Sequence, residues 1–191
     1  CGSTSVIKAL KNGHLDIVKY LFNNGCDFSG KDNDNCGNTI LIMAAEKNYF
    51  DIVKYLIENG CDVDESNTCG ATSLITASFY GHLEIVRYLV EHGSDINRKD
   101  DEGQSSLILA STNGHLQVVK YLVESGCDIN ASNNYGGTSL LIASQYGHFE
   151  IIKYLVESGC NINEKDGSGA TIVMIASYNG RLDIVKFLIE N

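Results

Sequence analysis

The feature that most constrains this chain is a short string that returns at a fixed interval. A close variant of Gly-His-Leu-Asp-Ile-Val begins every 33 residues at Gly81, Gly114, Gly147 and Gly180. One interval before Gly81 the same position is Asn48, and a further 35 residues back Gly13 begins the string again. A period of this length indicates a repeat fold, in which each repeat buries its apolar face against its neighbours.

The loop glycines divide the chain into six repeats. We place them at residues 2–36, 37–69, 70–102, 103–135, 136–168 and a shorter 169–191. The first repeat is longer because 12 residues separate Gly25 from Gly37, where 10 separate the matching glycines of later repeats. Because the pattern is continuous, the sequence predicts a single repeat domain over residues 1–191.

The third repeat, residues 70–102, illustrates the structure that each repeat encodes. Thr72 is a suitable N-cap for a short first helix, and Gly81 is suited to end that helix in a left-handed conformation. The apolar residues that follow have the spacing of a second, amphipathic helix: Leu83, Ile85, Val86, Leu89 and Val90. Neither helix is long enough to be stable alone. The sequence therefore predicts an all-α solenoid of stacked helix-turn-helix units.

These repeats resemble the ankyrin repeat. Its pattern, Gly-x-Thr-Pro-Leu-His-x-Ala-Ala-x-x-Gly-His followed by two aliphatics, Leu-Leu and Gly-Ala-Asp-Val-Asn, fits this chain in period and at most positions. The proline of the family is replaced by Ser5, Ile40, Ser73, Ser106, Ser139 and Ile172, and its first histidine by Ile7, Ile42, Ile75, Ile108, Leu141 and Met174. The resemblance implies β-hairpin-like loops between helix pairs, and a scaffold that binds another protein on its concave face.

Composition excludes several classes of partner. The net charge is −10 and the pI is about 4.8, whereas nucleic acids and anionic membranes attract basic patches. No apolar run approaches the roughly 18 residues of a membrane-spanning helix. We therefore expect neither nucleic acid nor membrane as a partner, and a slight preference for a basic or neutral protein.

No group of residues indicates catalysis, a metal or a cofactor. Four histidines share one repeat position, His14, His82, His115 and His148, and Arg181 takes that position in the last repeat. A catalytic histidine does not recur in this way, so we interpret these residues as structural. The sequence has no Cys-x-x-Cys, no zinc-finger spacing, no phosphate-binding glycine loop and no Ser/His/Asp arrangement. We predict that the chain is not an enzyme.

The seven cysteines occupy two repeat positions. The first set is Cys26, Cys61, Cys127 and Cys160, and the second is Cys1, Cys36 and Cys69. Repeats that stack at the helix-packing distance separate neighbouring members by about 8–10 Å. Because a disulfide needs Cα atoms within about 7 Å, we expect reduced thiols and a cytoplasmic protein. Redox activity of the second, exposed set remains an alternative.

The binding residues are sought where the repeats differ from one another. The two residues that precede each helix-ending glycine differ from repeat to repeat. The residues at the tips of the loops, which include Asn35, differ in the same way. Exposed aromatic residues at such positions are typical of protein-binding hot spots. The predicted anchors are Phe79, Tyr80, Tyr135, Tyr146 and Tyr178, with Asp101 and Glu102 setting a charge preference. The alternative is a solvated surface without a binding role.

The ends of the sequence suggest a second function. The chain opens on Cys1 rather than Met, and it stops at Asn191 where the family pattern continues, so we expect a piece of a longer chain. The last repeat carries Ile172 and Met174 in its first helix and resembles an internal repeat. Exposed ends of this kind favour solenoids that stack end to end, and a charged residue at either position is expected to block the stacking.

Overall fold

A computed structural model describes residues 3–26, 30–32 and 36–190 of the chain. This described part contains twelve α-helices, paired two to a repeat as the sequence predicts. They are α1 Ser3–Lys11, α2 Leu15–Asn23, α3 Ile40–Glu46, α4 Phe50–Glu58, α5 Ser73–Tyr80, α6 Leu83–Glu91, α7 Ser106–Thr112, α8 Leu116–Glu124, α9 Ser139–Tyr146, α10 Phe149–Glu157, α11 Ile172–Tyr178 and α12 Leu182–Glu190. The all-α repeat fold is therefore confirmed.

The first helix of a repeat begins at a residue whose side chain caps its N-terminus and ends near a residue in the left-handed conformation. The Thr72 hydroxyl accepts a hydrogen bond from the Ile75 N–H at 3.3 Å, which confirms the predicted N-cap. The same cap is made by Thr39, Ser105, Thr138 and Thr171. Gly81 closes α5 at φ 77°, and Asn48, which replaces this glycine one repeat earlier, has φ 58°. Asparagine tolerates the left-handed region better than most residues, so the replacement preserves the turn.

Contacts between Cα atoms divide the chain into two compact units, Cys1–Asp95 and Ile96–Asn191. In the N-terminal unit α3 packs on α1 and α5, while α4 packs on α2 and α6. In the C-terminal unit α9 packs on α7 and α11, while α10 packs on α8 and α12. Each unit is thus a stack of three repeats, and the single domain over residues 1–191 stays a prediction.

The core of each unit is built from positions that recur in every repeat. One leucine of the second helix is fully buried in four of the repeats, at Leu56, Leu89, Leu122 and Leu155. One alanine of the first helix is fully buried at Ala44, Ala77, Ala110, Ala143 and Ala176. The small alanine allows the first helices to approach closely, and the leucines fill the layer between them and the second helices.

The loops between repeats end in tight turns that we call fingertips, each centred on the glycine at 37, 70, 103, 136 or 169. In four of them an Asn or Asp oxygen accepts two backbone N–H bonds, and these residues are Asn67, Asp100, Asn133 and Asp166. Isolated antiparallel bridges, such as Ser132 to Thr138, join the two sides of the loops in the C-terminal unit. The hairpin-like loops implied by the family resemblance are therefore present.

Neighbouring fingertips within a unit are also hydrogen-bonded to each other. The Thr68 N–H donates to the Cys36 carbonyl at 2.9 Å, and the Gly167 N–H donates to the Tyr135 carbonyl at 2.7 Å. The Sγ atoms of Cys36 and Cys69, which lie at two of these fingertips, are 2.8 Å apart. The predicted spacing of about 8–10 Å is therefore wrong for Cys36 and Cys69, because it applies to packed helices and not to bonded loops. Cys1 and Asn35 lie outside the described residues.

Candidate partner-binding surface

Three of the predicted anchors lie along one groove of the C-terminal unit. Tyr135 and Tyr146 line a cavity of about 280 Å³, and Tyr178 lines an adjoining cavity of about 470 Å³. The two cavities share the lining residues Gln145, Asp166 and Ile175. The tyrosines are 68%, 53% and 92% exposed, respectively, although each is a large partly apolar side chain. We call this surface the C-terminal groove.

The backbone of Tyr135 is held on both sides by hydrogen bonds. Its N–H donates to Asn133 Oδ1 at 3.0 Å, and its carbonyl accepts from the Gly167 N–H at 2.7 Å. Tyr146 is the last residue of α9, and Tyr178 is the last residue of α11. All three rings therefore extend from fixed backbone, which lowers the entropy lost when a partner binds.

Histidines of the repeated set support two of the exposed tyrosines. The His148 ring stacks on Tyr146 with centroids 6.4 Å apart, and its Nε2 lies 2.9 Å from the Thr112 carbonyl. Because a carbonyl can only accept, Nε2 carries the proton in this contact. The His82 ring likewise stacks on Tyr80, with centroids 5.8 Å apart. Its Nε2 lies 3.1 Å from the Glu46 carbonyl oxygen. The predicted structural role of these two histidines is confirmed, because each joins two repeats.

The remaining aromatic anchors form a separate cluster in the N-terminal unit. Phe79 and Tyr80 meet edge to face with ring centroids 4.9 Å apart, and they are 39% and 45% exposed. The His82 ring also stacks on Tyr80. The structure thus brings these two predicted residues together, and we describe them as the N-terminal aromatic pair.

The predicted acidic residues lie at the fingertip next to that of Tyr135. Asp101 and Glu102 are exposed, and their carbonyls accept from the Asn134 side chain and backbone at 2.9 Å and 3.0 Å. Neither residue is among those lining the C-terminal groove. Their role in setting a charge preference therefore stays a prediction.

The charge inside the groove comes from Asp166, which the sequence did not single out. The Ser168 hydroxyl donates to Asp166 Oδ1 at 2.6 Å and, with several backbone N–H groups, holds the pKa of this carboxyl below its usual value. The group is therefore ionised at neutral pH. Asp166 also closes its own fingertip turn, so its sequence position carried only a structural signal.

Met174 is the second groove residue that the variable positions did not identify. Its side chain is 61% exposed, whereas Ile108 and Leu141, at the same position in earlier repeats of this unit, are 0% and 2% exposed. In the earlier repeats, the side chain at this position is covered by the repeat that follows. The apolar character of the position is typical of burial, but the sequence analysis placed Met174 at an exposed end, and the exposure of its side chain agrees with that prediction.

Among the described residues, no three His, Cys, Asp or Glu side chains are grouped so as to hold a metal ion. Within the same part of the chain, every helix is too short or too polar to cross a membrane.

The comparison with known families agrees with the geometry. No curated protein sequence matches the chain significantly. A family profile described as "Ankyrin repeats (3 copies)" matches residues 1–67, 59–133 and 107–191. Ankyrin repeats are generally protein–protein interaction modules, and they are typically non-catalytic. Since the three matches span the sequence and the helix pairs follow its period, the chain belongs to the ankyrin-repeat family.

Proposed function

We propose that this chain is an interaction module that binds a partner protein through its fingertips and the ends of its first helices. The observation that carries the proposal is the alignment of Tyr135, Tyr146 and Tyr178 along the C-terminal groove. Tyrosine contributes a large contact area and a polar hydroxyl at low entropic cost, which makes it frequent at interface hot spots.

The charges near the groove favour a partner segment that carries lysine or arginine. Asp166 lies in the groove, and Asp101 and Glu102 lie at the adjacent fingertip. A cation would also gain from the exposed tyrosine rings, which attract positive charge through their faces. We place this interaction in the cytoplasm, where buried free cysteines such as Cys26 and Cys160 would remain reduced.

Truncation of the groove tyrosines is the direct test. Partners are first captured on the full chain, and their affinities are then measured for purified variants by titration calorimetry. Tyr146→Ala and Tyr178→Ala are each expected to weaken binding roughly tenfold or more, because truncating a hot-spot aromatic costs about 2 kcal/mol. The double variant Phe79→Ala/Tyr80→Ala tests the N-terminal aromatic pair separately.

The matched control is Tyr20→Ala, which removes a tyrosine that is 67% exposed but lies in α2, outside the groove. This variant should bind as the unmodified chain does. Equal affinities for Tyr146→Ala, Tyr178→Ala and Tyr20→Ala would remove the groove as the binding site. A uniform loss in all three would indicate a general effect of tyrosine removal and would also contradict the assignment.

End-to-end association of two copies is a second candidate, and one observation favours it. Ile17 in the first repeat is 48% exposed, whereas Ile52 and Ile85, at the same position in the next two repeats, are 2% and 0% exposed. In the last repeat Met174 and Ile189 are 61% and 74% exposed. Apolar side chains are therefore exposed in the first and the last repeat that the structure describes, and a head-to-tail contact between copies would cover them.

The predicted test of this contact needs one correction. Ile172 is only 1% exposed, because its position in the first turn of the helix points into the core. A charge at Ile172 would disrupt folding, so Met174 is the residue to change. If the ends associate, the mass from light scattering should rise above 20.8 kDa with concentration, and Met174→Glu should abolish the rise. A constant mass for the unmodified chain would exclude this candidate.

A further inference from the structure

Two cysteines of neighbouring fingertips in the N-terminal unit lie in direct contact. The Cys36 and Cys69 Sγ atoms are 2.8 Å apart, and both residues are free thiols. Cys69 is exposed to solvent and Cys36 is half-buried. A disulfide bond is about 2.05 Å long, so only a small movement separates these thiols from the bonded state.

The contact is fixed by the backbone on both sides of it. The Cys36 carbonyl accepts from the Thr68 N–H at 2.9 Å and from the Thr68 hydroxyl at 2.7 Å. The Cys69 N–H donates to Asn67 Oδ1 at 3.0 Å, and Asn67 Nδ2 donates to Asn38 Oδ1 at 2.8 Å. The two fingertips are therefore held in register independently of their thiols.

The fold itself does not require cysteine at these positions. The same position is occupied by Glu102, Tyr135 and Ser168 in the later repeats, and their fingertips form the same turn. Glu102 and Tyr135 also use their carbonyls to bond the next fingertip, as Cys36 does. A pair of adjacent thiols is thus an addition to a structure that forms without them.

Burial lowers the reactivity of several of the other thiols at neutral pH. It raises the pKa of Cys61 and of Cys160 to about 11, and that of Cys127 to about 12. The thiolate is the reactive form of cysteine, so these three residues react slowly at neutral pH. The hydrogen bond with Cys69 also raises the pKa of Cys36, which leaves the exposed Cys69 as the thiol that a reagent meets first.

We propose that Cys36 and Cys69 are a reversible redox site, which closes into a disulfide between the first two repeats on reaction with a low-molecular-weight disulfide such as oxidised glutathione. The Cys69 thiolate attacks one sulfur of the reagent, forms a mixed disulfide and releases the first thiolate. The Cys36 thiolate then attacks Cys69 Sγ and displaces the second. Two protein thiols are oxidised, one reagent disulfide is reduced to two thiols, and the two protons pass to the released thiolates.

The bond would fix one edge of a cavity in the N-terminal unit. Cys36 lines a cavity of about 540 Å³ together with Asn38, Met43, Glu46 and Lys47, among other residues. Without the bond, the contacts between the described residues of the two loops are non-covalent, and they include the two hydrogen bonds from Thr68 to the Cys36 carbonyl. A disulfide between Cys36 and Cys69 would therefore restrain this edge of the cavity covalently.

The test is oxidation of the folded 191-residue chain by oxidised glutathione, followed by intact mass spectrometry. The unmodified chain is expected to lose two hydrogen atoms. Its tryptic digest should contain a linked pair, residues 32–47 with residues 55–87, with fragmentation placing the bond at Cys69 and not at Cys61. Cys36→Ser should instead keep one glutathione on Cys69, because the second thiol is missing. A reductant should reverse both products.

Cys127→Ser is the matched control, and it should lose two hydrogen atoms as the unmodified chain does. Glutathione adducts on the unmodified chain without the two-hydrogen loss would overturn the proposal. It would also be overturned if the loss persisted in Cys36→Ser, since the bond would then join other cysteines. The linked peptides in the digest of the unmodified chain also show which cysteines are bonded, so the proposal can be tested without any variant.

Discussion

Leu122→Ala is expected to lower the free energy of unfolding of the chain by about 2–5 kcal/mol. Leu122 lies in α8 and its side chain is 0% exposed. Its removal takes away buried apolar surface and leaves a cavity, since the layer between the first and second helices can collapse only in part. Urea unfolding followed by circular dichroism, with linear extrapolation to water, measures the change.

The same substitution at an exposed leucine of the same unit serves as the control. Leu182 begins α12 and is 64% exposed, so Leu182→Ala should change stability by less than about 0.5 kcal/mol. The pair separates the effect of burial from the effect of helix propensity, because both residues lie in second helices. Equal losses for the two variants would contradict the assignment of Leu122 to the core.

Much of the fold could be predicted because its signals are local and are repeated. Thr72 caps the first helix of its repeat and Gly81 ends it, and each needs only the residues of its own turn. Apolar spacing places Leu89 in the core for the same reason. In a repeat protein each repeat contacts only its neighbours, so a local pattern that recurs is nearly the whole fold.

The candidate site could be predicted only in part, because part of it depends on contacts between repeats. Variable positions identified Tyr146 and Tyr178, which end their helices and have exposed side chains. The contact of Cys36 with Cys69 was missed because helix spacing was applied to loops that hydrogen-bond to one another. Ile172 was assigned to an exposed end, since sequence alone does not show which side of α11 faces the core.

Gly136→Ala is expected to be the most disruptive single-methyl change at a fingertip. Gly136 has φ 75°, in the left-handed region, where a side chain costs about 1–2 kcal/mol. A Cβ at this position would lie 2.6 Å from the Gly167 nitrogen and 3.0 Å from the Asp166 carbonyl carbon. These are backbone atoms of the next fingertip, which cannot rotate away, so the overlap adds about 1–3 kcal/mol.

Gly126→Ala isolates the cost of the backbone conformation from the cost of the overlap. Gly126 has φ 87°, and no heavy atom beyond those of Gly126 and its two chain neighbours lies within 4 Å of the position a Cβ would take. The free energy of unfolding of Gly126→Ala should fall only by the cost of the backbone conformation, about 1–2 kcal/mol. That of Gly136→Ala should fall by about 2–5 kcal/mol in the same urea titration. Equal losses would mean that the fingertips are not closely paired.

The overlap at Gly136 also has a local consequence that distinguishes it from a general loss of stability. The Gly167 N–H donates to the Tyr135 carbonyl at 2.7 Å, and an added methyl group would push this donor away. Amide exchange at Gly167 should therefore accelerate in Gly136→Ala more than in Gly126→Ala, after correction for global stability. The same hydrogen bond holds Tyr135 at the edge of the C-terminal groove. Gly136→Ala should therefore also lower the affinity for a partner that contacts Tyr135, whereas Gly126→Ala should leave that affinity unchanged.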